Sequence, residues 1–369
     1  MSRVHWGSQR QPPARQSSRS PKMNDHLTST SIATAVDPPV AAGARVERAL
    51  FEVKRVVVGQ DAMVERMLVG LLARGHVLLE GVPGVAKTLA VRTLAEVVGG
   101  EFRRLQFTPD LMPGDIVGTR VWRPSTESFD IELGPVFGNL VLADEINRAP
   151  AKVQSALLEA MAEKQVSIGG RTFALPDPFL VLATQNPIET DGVYRLPEAQ
   201  RDRFLLKVDV GHPSELEEMA IISRMGIAAP RASTILALDD VIELQAAAAS
   251  VFVHHAIENY IVRLVMATRT PAEYGLPGLV GALEYGVSPR GSLGLLAASR
   301  ALALIRGRDY VLPGDVADLA GDVLAHRLVL TFDASADDID ARDLIDLVVR
   351  AVPAPRIAPH EDDAEERLA

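Results

Sequence analysis

A short apolar run, HVLLE (76–80), leads directly into the glycine-rich octapeptide GVPGVAKT (81–88), and a helix-forming segment follows. A strand, this loop and a helix, in this order, are typical of a phosphate-binding loop. The N–H groups at the helix N-terminus attract phosphate oxygens, Lys87 can bridge the β- and γ-phosphates, and the Thr88 hydroxyl can bind Mg²⁺. The alternative is a glycine loop that joins a strand to a helix and binds nothing.

The residue before the lysine is Ala86, where the usual pattern has glycine. Glycine lets the backbone approach the phosphates closely, so alanine is acceptable here only with helical backbone angles and a methyl group directed away from the phosphates. We therefore expect that conformation. The loop residues expected to bind nucleotide are Gly81, Val82, Pro83, Gly84, Val85, Ala86, Lys87, Thr88 and Leu89.

Two further apolar runs end in polar residues that suit nucleotide chemistry. The first, NLVLA, runs into Asp144 and Glu145, and the second, PFLVLATQ, runs into Asn186. The carboxyl ends of parallel strands line the ligand crevice of an α/β sheet. Asp144 would hold Mg²⁺, Glu145 would act as general base on the attacking water, and Asn186 would orient that water. Taken singly, the acids could be a helix cap and Asn186 part of an Asn-Pro turn.

The alternation of apolar runs and helix-period segments predicts an α/β fold with a parallel sheet in three αβα layers over residues 44–211. Strand signals stop after Gly211, and the segments that follow keep a helical period, which predicts an all-helical lid domain over 212–352. Residues 1–43 are basic and lack a hydrophobic period, and 353–369 are acidic. We expect both to be disordered tails.

Composition excludes several classes of protein. The chain has no cysteine, which excludes disulfides and thiolate chemistry, and no run of 18 apolar residues that would predict a membrane span. The N-terminus lacks the apolar stretch of a secretory signal, so a cytoplasmic location is expected. A net charge of −10 argues against nonspecific binding of nucleic acid.

Two arginines complete the set of candidates. Arg203 lies in LPEAQRDRF, shortly after the strand that precedes Asn186, and Arg290 lies at a predicted helix start with Ser288 as cap and Pro289 in the first turn. Arginine can neutralise a transferring phosphoryl group without losing its proton. Either arginine alone is more often an ordinary surface ion pair.

Over residues 44–352 the chain resembles the AAA+ ATPases of the MoxR family, in the motifs GVPGVAKT, LVLADEINRAP, ATQNP, LPEAQRDRF and GVSPR. The segment QFTPDLMPGDIVGT (106–119) is typical of that family too. The alanine in the phosphate loop is a trait of that family. The resemblance implies ATP hydrolysis with Mg²⁺ in a ring, usually a hexamer. It also implies that Arg203 acts on the neighbouring subunit's nucleotide and that Arg290 acts as a sensor within its own subunit.

Three further expectations come from the same resemblance. Arg201 stands where such proteins usually carry an apolar residue, so Arg201 and Arg203 are both candidates for the residue that acts in trans. Gly59 and Gln60 would pack beside the adenine, or else form a simple turn. The segments 119–133 and 164–176 predict β-hairpins that face the pore or a client protein, or merely decorate the core.

The function expected from the resemblance is a chaperone-like remodelling motor. It would help a client enzyme complex to mature or to receive a metal or cofactor, with a partner protein that carries a von Willebrand factor A domain. One alternative is a motor that acts on nucleic acid, against which the acidic composition and the lack of a basic, aromatic strip both argue. The other is a nonenzymatic scaffold in which nucleotide binding only orders the ring, against which Glu145, Asn186 and Arg203 argue.

Overall fold

The computed structural model describes residues 39–187, 193–194, 196–225 and 230–356. The strands are β1 Val77–Gly81, β2 Phe102–Gln106, β3 Gly118–Arg123, β4 Ser128–Leu133, β5 Leu140–Asp144, β6 Gln165–Ile168, β7 Arg171–Ala174, β8 Leu180–Gln185, β9 Leu206–Val210, β10 Leu283–Tyr285 and β11 Val329–Leu330. The helices are α1 Pro39–Val56, α2 Asp61–Leu72, α3 Lys87–Val97, α4 Pro113–Val117, α5 Ala151–Glu163, α6 Glu198–Arg201, α7 Glu215–Met225, α8 Leu238–Ser250, α9 His255–Arg269, α10 Pro289–Ile305, α11 Pro313–Leu324, α12 Phe332–Ala336 and α13 Ala341–Ala351. Short 3₁₀ turns lie between several of them.

Five strands form one parallel sheet in the order β2, β5, β8, β1, β9. The three apolar runs of the sequence analysis are its three inner strands, β5, β8 and β1. Since these strands are parallel neighbours, their carboxyl ends meet at one edge, where the phosphate loop, the two acids and Asn186 follow. The sequence did not predict β2 and β9, which lie at the sheet's two borders and carry charged or polar residues that break up the apolar pattern.

The sheet is covered on both faces, which confirms the predicted three-layer arrangement. Along β5, Leu140 and Leu142 belong to a core that includes α1, α2 and α3, whereas Val141 and Ala143 belong to a second core that includes α5. Side chains alternate between the two faces of a strand, so one fully apolar strand supplies both cores.

The chain after β9 is mostly helical, as predicted, and α10 packs against α8, α9 and α11. It also contains the antiparallel pair β10 and β11, which is too short to give a recognisable period in the sequence. Helix α7 is capped at its N-terminus, because Glu217 accepts hydrogen bonds from the Ser214 N–H at 2.7 Å and the Ser214 hydroxyl at 2.8 Å.

The N-terminal boundary of the folded region differs from the prediction. Helix α1 begins at Pro39, inside the segment 1–43 predicted as tail, and Ala42 is fully buried. Gly43 lies so close to Gly307 that a Cβ atom at Gly43 would be 2.9 Å from the Gly307 Cα. This contact depends on a residue distant in sequence, so the local pattern could not show it. The remainder of the predicted tails, before residue 39 and after 356, lies outside the described residues.

Both predicted hairpins are present. Strands β3 and β4 pair antiparallel, and so do β6 and β7, whose Gly169 and Gly170 both have positive φ, at 58° and 80°. Across the first hairpin, Trp122 and Phe129 form an edge-to-face pair at 5.0 Å and both remain about half exposed. Within the part of the chain that the structure describes, no helix has the length and apolar character needed to span a membrane.

Candidate nucleotide-binding site

The phosphate loop joins β1 to α3 as the sequence predicts. Gly81 ends the strand beside Val210 of β9, and a Cβ atom at Gly81 would lie 2.3 Å from the Val210 carbonyl oxygen, so only glycine fits. Gly84 has φ +90°, and a Cβ atom there would meet nothing within 4 Å. The loop backbone is therefore open to a ligand at this point, as a phosphate cradle requires. The Val82 and Val85 side chains pack against the core.

Ala86 does not have the helical backbone that the sequence analysis expected. Its φ of 62° and ψ of 17° are left-handed, and it stands immediately before α3. A left-handed conformation costs an L-residue about 1–2 kcal/mol because its Cβ crowds the following carbonyl oxygen. The loop must turn through this conformation to bring α3 behind the phosphate position, so the turn imposes the angle that glycine would adopt without strain.

Lys87 begins α3 and donates a hydrogen bond of 2.6 Å from Nζ to the Gly81 carbonyl oxygen. Burial lowers the pKa of Lys87, and the negative charges of Asp144, Glu145 and Glu80 oppose that change. The amine is thus held across the mouth of the loop, facing the acids that follow β5. This places one cation where phosphate oxygens would need it.

Thr184, at the end of β8, ties the two acids together. Its hydroxyl donates to Asp144 Oδ1 at 2.6 Å and accepts from the Glu145 N–H at 2.9 Å. Glu145 has a left-handed backbone, with φ 57°, which turns its side chain away from the line of β5. One hydroxyl on the neighbouring strand therefore fixes both the Asp144 carboxylate and the Glu145 backbone.

Three residues that the sequence analysis missed also hold these acids. Arg104 of β2 donates to Asp144 Oδ2 at 2.7 and 3.1 Å. Gln106 donates to Glu145 Oε2 at 2.8 Å, and Arg148 is paired with the same oxygen at 3.0 Å. Both side-chain contacts that the described residues make with the Glu145 carboxylate therefore use Oε2, and none of them uses Oε1. The sequence could have shown Arg104 and Gln106 only if the pairing of β2 with β5 were known.

The phosphate loop, the two acids and Arg104 line one cleft of about 380 Å³. Its lining residues are Pro83, Gly84, Ala86, Lys87, Thr88, Leu89, Arg104, Asp144, Glu145, Thr184, Gln185 and Asn186. The structure thus brings together the loop, both acids and Asn186, as predicted. The donor set fits a magnesium nucleotide, because the Thr88 hydroxyl and the Asp144 carboxylate are oxygen ligands of the kind Mg²⁺ prefers, beside a cradle of backbone N–H groups.

Gly59 and Gln60 lie next to the segment that follows β9. The buried Gln60 side chain donates to the Gly211 carbonyl oxygen at 3.1 Å, and Gly59, with φ 74°, is packed against Pro213 and Glu217. Since Val210 pairs with Gly81, this segment is a neighbour of the phosphate loop. Their expected contact with adenine stays a prediction.

The three arginines have different surroundings. Arg203 is exposed, whereas Arg201 faces a second cavity of about 480 Å³ that Glu80, Asn186 and Lys207 also line. Arg290 lies at the start of α10, as predicted, and is paired with Asp202 at 3.9 Å. It is not among the residues that line the phosphate cleft. Ser288 occupies the cap position, but its hydroxyl donates to Asp202 at 3.3 Å instead of capping the helix.

A parallel sheet with a phosphate loop, two acids and a polar residue at adjacent strand ends, followed by a helical lid, defines an AAA-type ATPase fold. Residues 76–206 match the ATPase family associated with various cellular activities (AAA), and residues 281–348 match the AAA lid domain. A crystal structure of a protein from Cytophaga hutchinsonii has a TM-score of 0.81 at 44% identity, and the match covers 86% of this chain and 97% of that one.

Among curated proteins, the chain is 63% identical to Chaperone MoxR1 of Mycobacterium tuberculosis over 85% of this chain and 83% of that protein. It is 33% identical to Protein MoxR of Methylorubrum extorquens over 85% of this chain and 95% of the relative. The chain therefore belongs to the MoxR family of AAA+ ATPases.

Proposed function

We propose that this chain hydrolyses ATP with Mg²⁺ and uses the energy to remodel other proteins, in the manner of a chaperone. The observation that carries the catalytic half is the single cleft that holds both the phosphate loop and the acids joined by Thr184. Chemistry that develops charge on phosphate oxygens requires cations, backbone donors and a base around one point, and the cleft supplies all three.

The residues in the cleft have separate roles in this proposal. Lys87 binds the β- and γ-phosphates, while Thr88 and Asp144 hold Mg²⁺, which supplies neutralisation of phosphate charge. Glu145 accepts a proton from the attacking water at Oε1, and Asn186 orients that water. Gln106 and Arg148 keep the Glu145 carboxylate in place through Oε2.

We further propose that the active unit is a ring, usually hexameric, in which Arg203 reaches the nucleotide of the neighbouring subunit. Its exposure supports this role over Arg201, whose Nε is buried and whose guanidinium lies 3.5 Å from Glu198 of the same chain. An arginine acting in trans must be free to leave its own surface. Arg290 remains a proposed sensor.

The remodelling half of the proposal rests on the family. The relative from Mycobacterium tuberculosis is named a chaperone. The hairpin of β3 and β4 offers a contact surface for a client, because it exposes Trp122 and Phe129, and the Arg120 guanidinium lies 4.0 Å from the centre of the Phe129 ring. Aromatic side chains with one cation suit apolar segments of a partly unfolded protein. Maturation or metal insertion in an enzyme complex, a partner with a von Willebrand factor A domain and a cytoplasmic location belong to the same proposal.

The test is the steady-state ATPase rate as a function of protein concentration. Lys87→Ala should lose nucleotide binding, and Glu145→Gln should keep binding but hydrolyse about 10²- to 10⁴-fold more slowly. Arg203→Ala should bind ATP and fail to hydrolyse it, whereas Arg263→Ala, another exposed arginine, should behave like the unmodified protein.

Activity per subunit should rise with concentration if the site is completed by a neighbour. A flat dependence together with an active Arg203→Ala variant would refute the ring. Activity that DNA stimulates and salt abolishes would favour a nucleic-acid motor instead. A Glu145→Gln variant that remodels clients as well as the unmodified protein would favour the nonenzymatic scaffold.

A further inference from the structure

Arg203 lies between two residues that the lid holds firmly. On its N-terminal side, the Asp202 carboxylate accepts a hydrogen bond of 3.0 Å from Arg327 and bonds of 3.3 Å from the Ser288 hydroxyl, and it is paired with Arg290 at 3.9 Å. All three partners come from the helical region after β9, although Asp202 itself lies between α6 and β9. Asp202 therefore joins the lid to the sheet domain through hydrogen bonds and an ion pair.

The residue on the other side of Arg203 is held by the same lid. The Phe204 carbonyl oxygen accepts a hydrogen bond of 2.5 Å from Arg327 and lies 3.1 Å from His326 Nε2. Arg327 thus contacts both neighbours of Arg203, and its Nε is fixed by the Val323 carbonyl oxygen at 2.8 Å.

The contacts that Arg327 makes with Asp202 and Phe204 are largely buried. The Arg327 side chain is 3% exposed and that of Asp202 is 21% exposed, whereas Arg203, between Asp202 and Phe204 in the chain, is open to solvent. Burial lowers the pKa of Arg327 to about 10, and the Asp202 charge opposes that shift, so the guanidinium stays charged near neutral pH. Removing one partner of a buried charge pair lowers stability strongly, because the other charge is left buried without a partner. When the pair and its additional hydrogen bonds are complete, they hold the side chains in one geometry.

We propose that Asp202 is a positioning residue that links the direction of Arg203 to the lid of its own subunit. The inference rests on the proposed ring, in which Arg203 serves the neighbouring site. A movement of the lid shifts Ser288, Arg290 and Arg327 together and carries Asp202 with them. Each subunit's lid thereby controls hydrolysis in the next subunit, with no direct contact between Asp202 and nucleotide.

The test uses mixed rings of two inactive parents. A Lys87→Ala subunit binds no nucleotide but still presents Arg203 to its neighbour. An Arg203→Ala subunit binds nucleotide but presents no arginine at that position. Mixing them should restore ATPase activity at sites that pair an Arg203→Ala pocket with a Lys87→Ala neighbour. If this parent mixture stays inactive while the unmodified protein hydrolyses ATP, the trans ring itself is wrong, and the result is separate from any effect of Asp202.

Asp202→Asn is then added to one parent at a time. In the Lys87→Ala donor it should reduce the restored rate at least 10-fold, mainly in kcat with little change in KM for ATP. In the Arg203→Ala receiver, which has no Arg203 guanidinium to position, it should reduce the restored rate much less than in the donor, because there it only loosens the Arg290 ion pair. A merely structural role predicts equal losses in both parents, and that outcome, or an unimpaired donor, would overturn the proposal.

A milder substitution, Ser288→Ala, tests the same link with less disturbance of the fold than Asp202→Asn. Ser288→Ala removes the hydroxyl that is shared between the two Asp202 oxygens and leaves the Arg327 pair intact, so it should fold with only a small decrease in thermal midpoint and give a smaller loss of activity in the donor than Asp202→Asn. Asp202→Glu, which keeps the charge, should recover part of the donor's activity. A loss that is larger in the donor than in the receiver supports the link, and no loss or equal losses in the two parents contradict it.

Discussion

Replacing Ala86 with glycine should stabilise this protein, although glycine in the middle of a helix is usually destabilising. Ala86 has φ 62°, and an L-residue pays about 1–2 kcal/mol for that left-handed backbone. Glycine removes the strain but gains freedom in the unfolded chain, which costs about 0.5–1 kcal/mol. The balance is a gain of roughly 0 to 1.5 kcal/mol in the free energy of unfolding.

Urea-induced unfolding in the absence of nucleotide measures this balance, with Ala246→Gly as the matched control. Ala246 is exposed in the middle of α8, where the backbone is right-handed, so the same substitution there should cost about 1 kcal/mol. The two variants should therefore shift the unfolding midpoint in opposite directions. If Ala86→Gly lowers stability as Ala246→Gly does, the left-handed backbone at Ala86 carries no strain that glycine relieves.

Three other perturbations follow from the same contacts. Burial lowers the pKa of His76 from 6.5 to about 4, so the neutral ring contributes about 3 kcal/mol of stability above pH 6.5, and this stability is lost as the pH falls towards 4. In urea unfolding between pH 7.5 and 4.5, the stability of His76→Asn, whose side chain does not titrate, should therefore depend less on pH than that of the unmodified protein. Equal pH dependence in the two proteins would contradict the assignment to His76. Arg104→Met should lower the Mg²⁺ concentration for half-maximal ATPase activity by about 2- to 5-fold, because it removes a half-exposed cation that competes for Asp144. A magnesium titration in which this concentration rises would refute the prediction. Gly81→Ala should abolish ATP binding, measured by calorimetry, because its Cβ would collide with the Val210 carbonyl oxygen, and normal binding would show that β9 can move aside.

Much of the site could be predicted from the sequence because its motifs are local. The phosphate loop is one unbroken segment, and each acid or amide directly follows an apolar strand, so strand ends and loop spacing placed Lys87, Thr88, Asp144, Glu145 and Asn186 without tertiary information. The inner strands could be recognised because burial on both faces makes them continuously apolar.

The left-handed angle of Ala86 was beyond the sequence, because the same residue type fits a helical start equally well and only the path of the loop decides. Arg104 and Gln106 join the site because β2 pairs with β5, a pairing that brings together residues about forty positions apart. An edge strand with exposed polar residues carries no apolar pattern that would reveal it.

The sequence by itself determined which groups this protein offers: a parallel α/β core, a phosphate loop, two acids and Asn186 at adjacent strand ends, and two arginines. The tertiary structure alone decided what holds that chemistry in place. Asp202 meets Ser288, Arg290 and Arg327 across about ninety to 125 positions of chain, and these contacts exist only because the lid folds back onto the sheet domain. Local sequence encodes which groups are offered, whereas long-range packing sets their direction, since a side chain's partners depend on the whole path of the backbone.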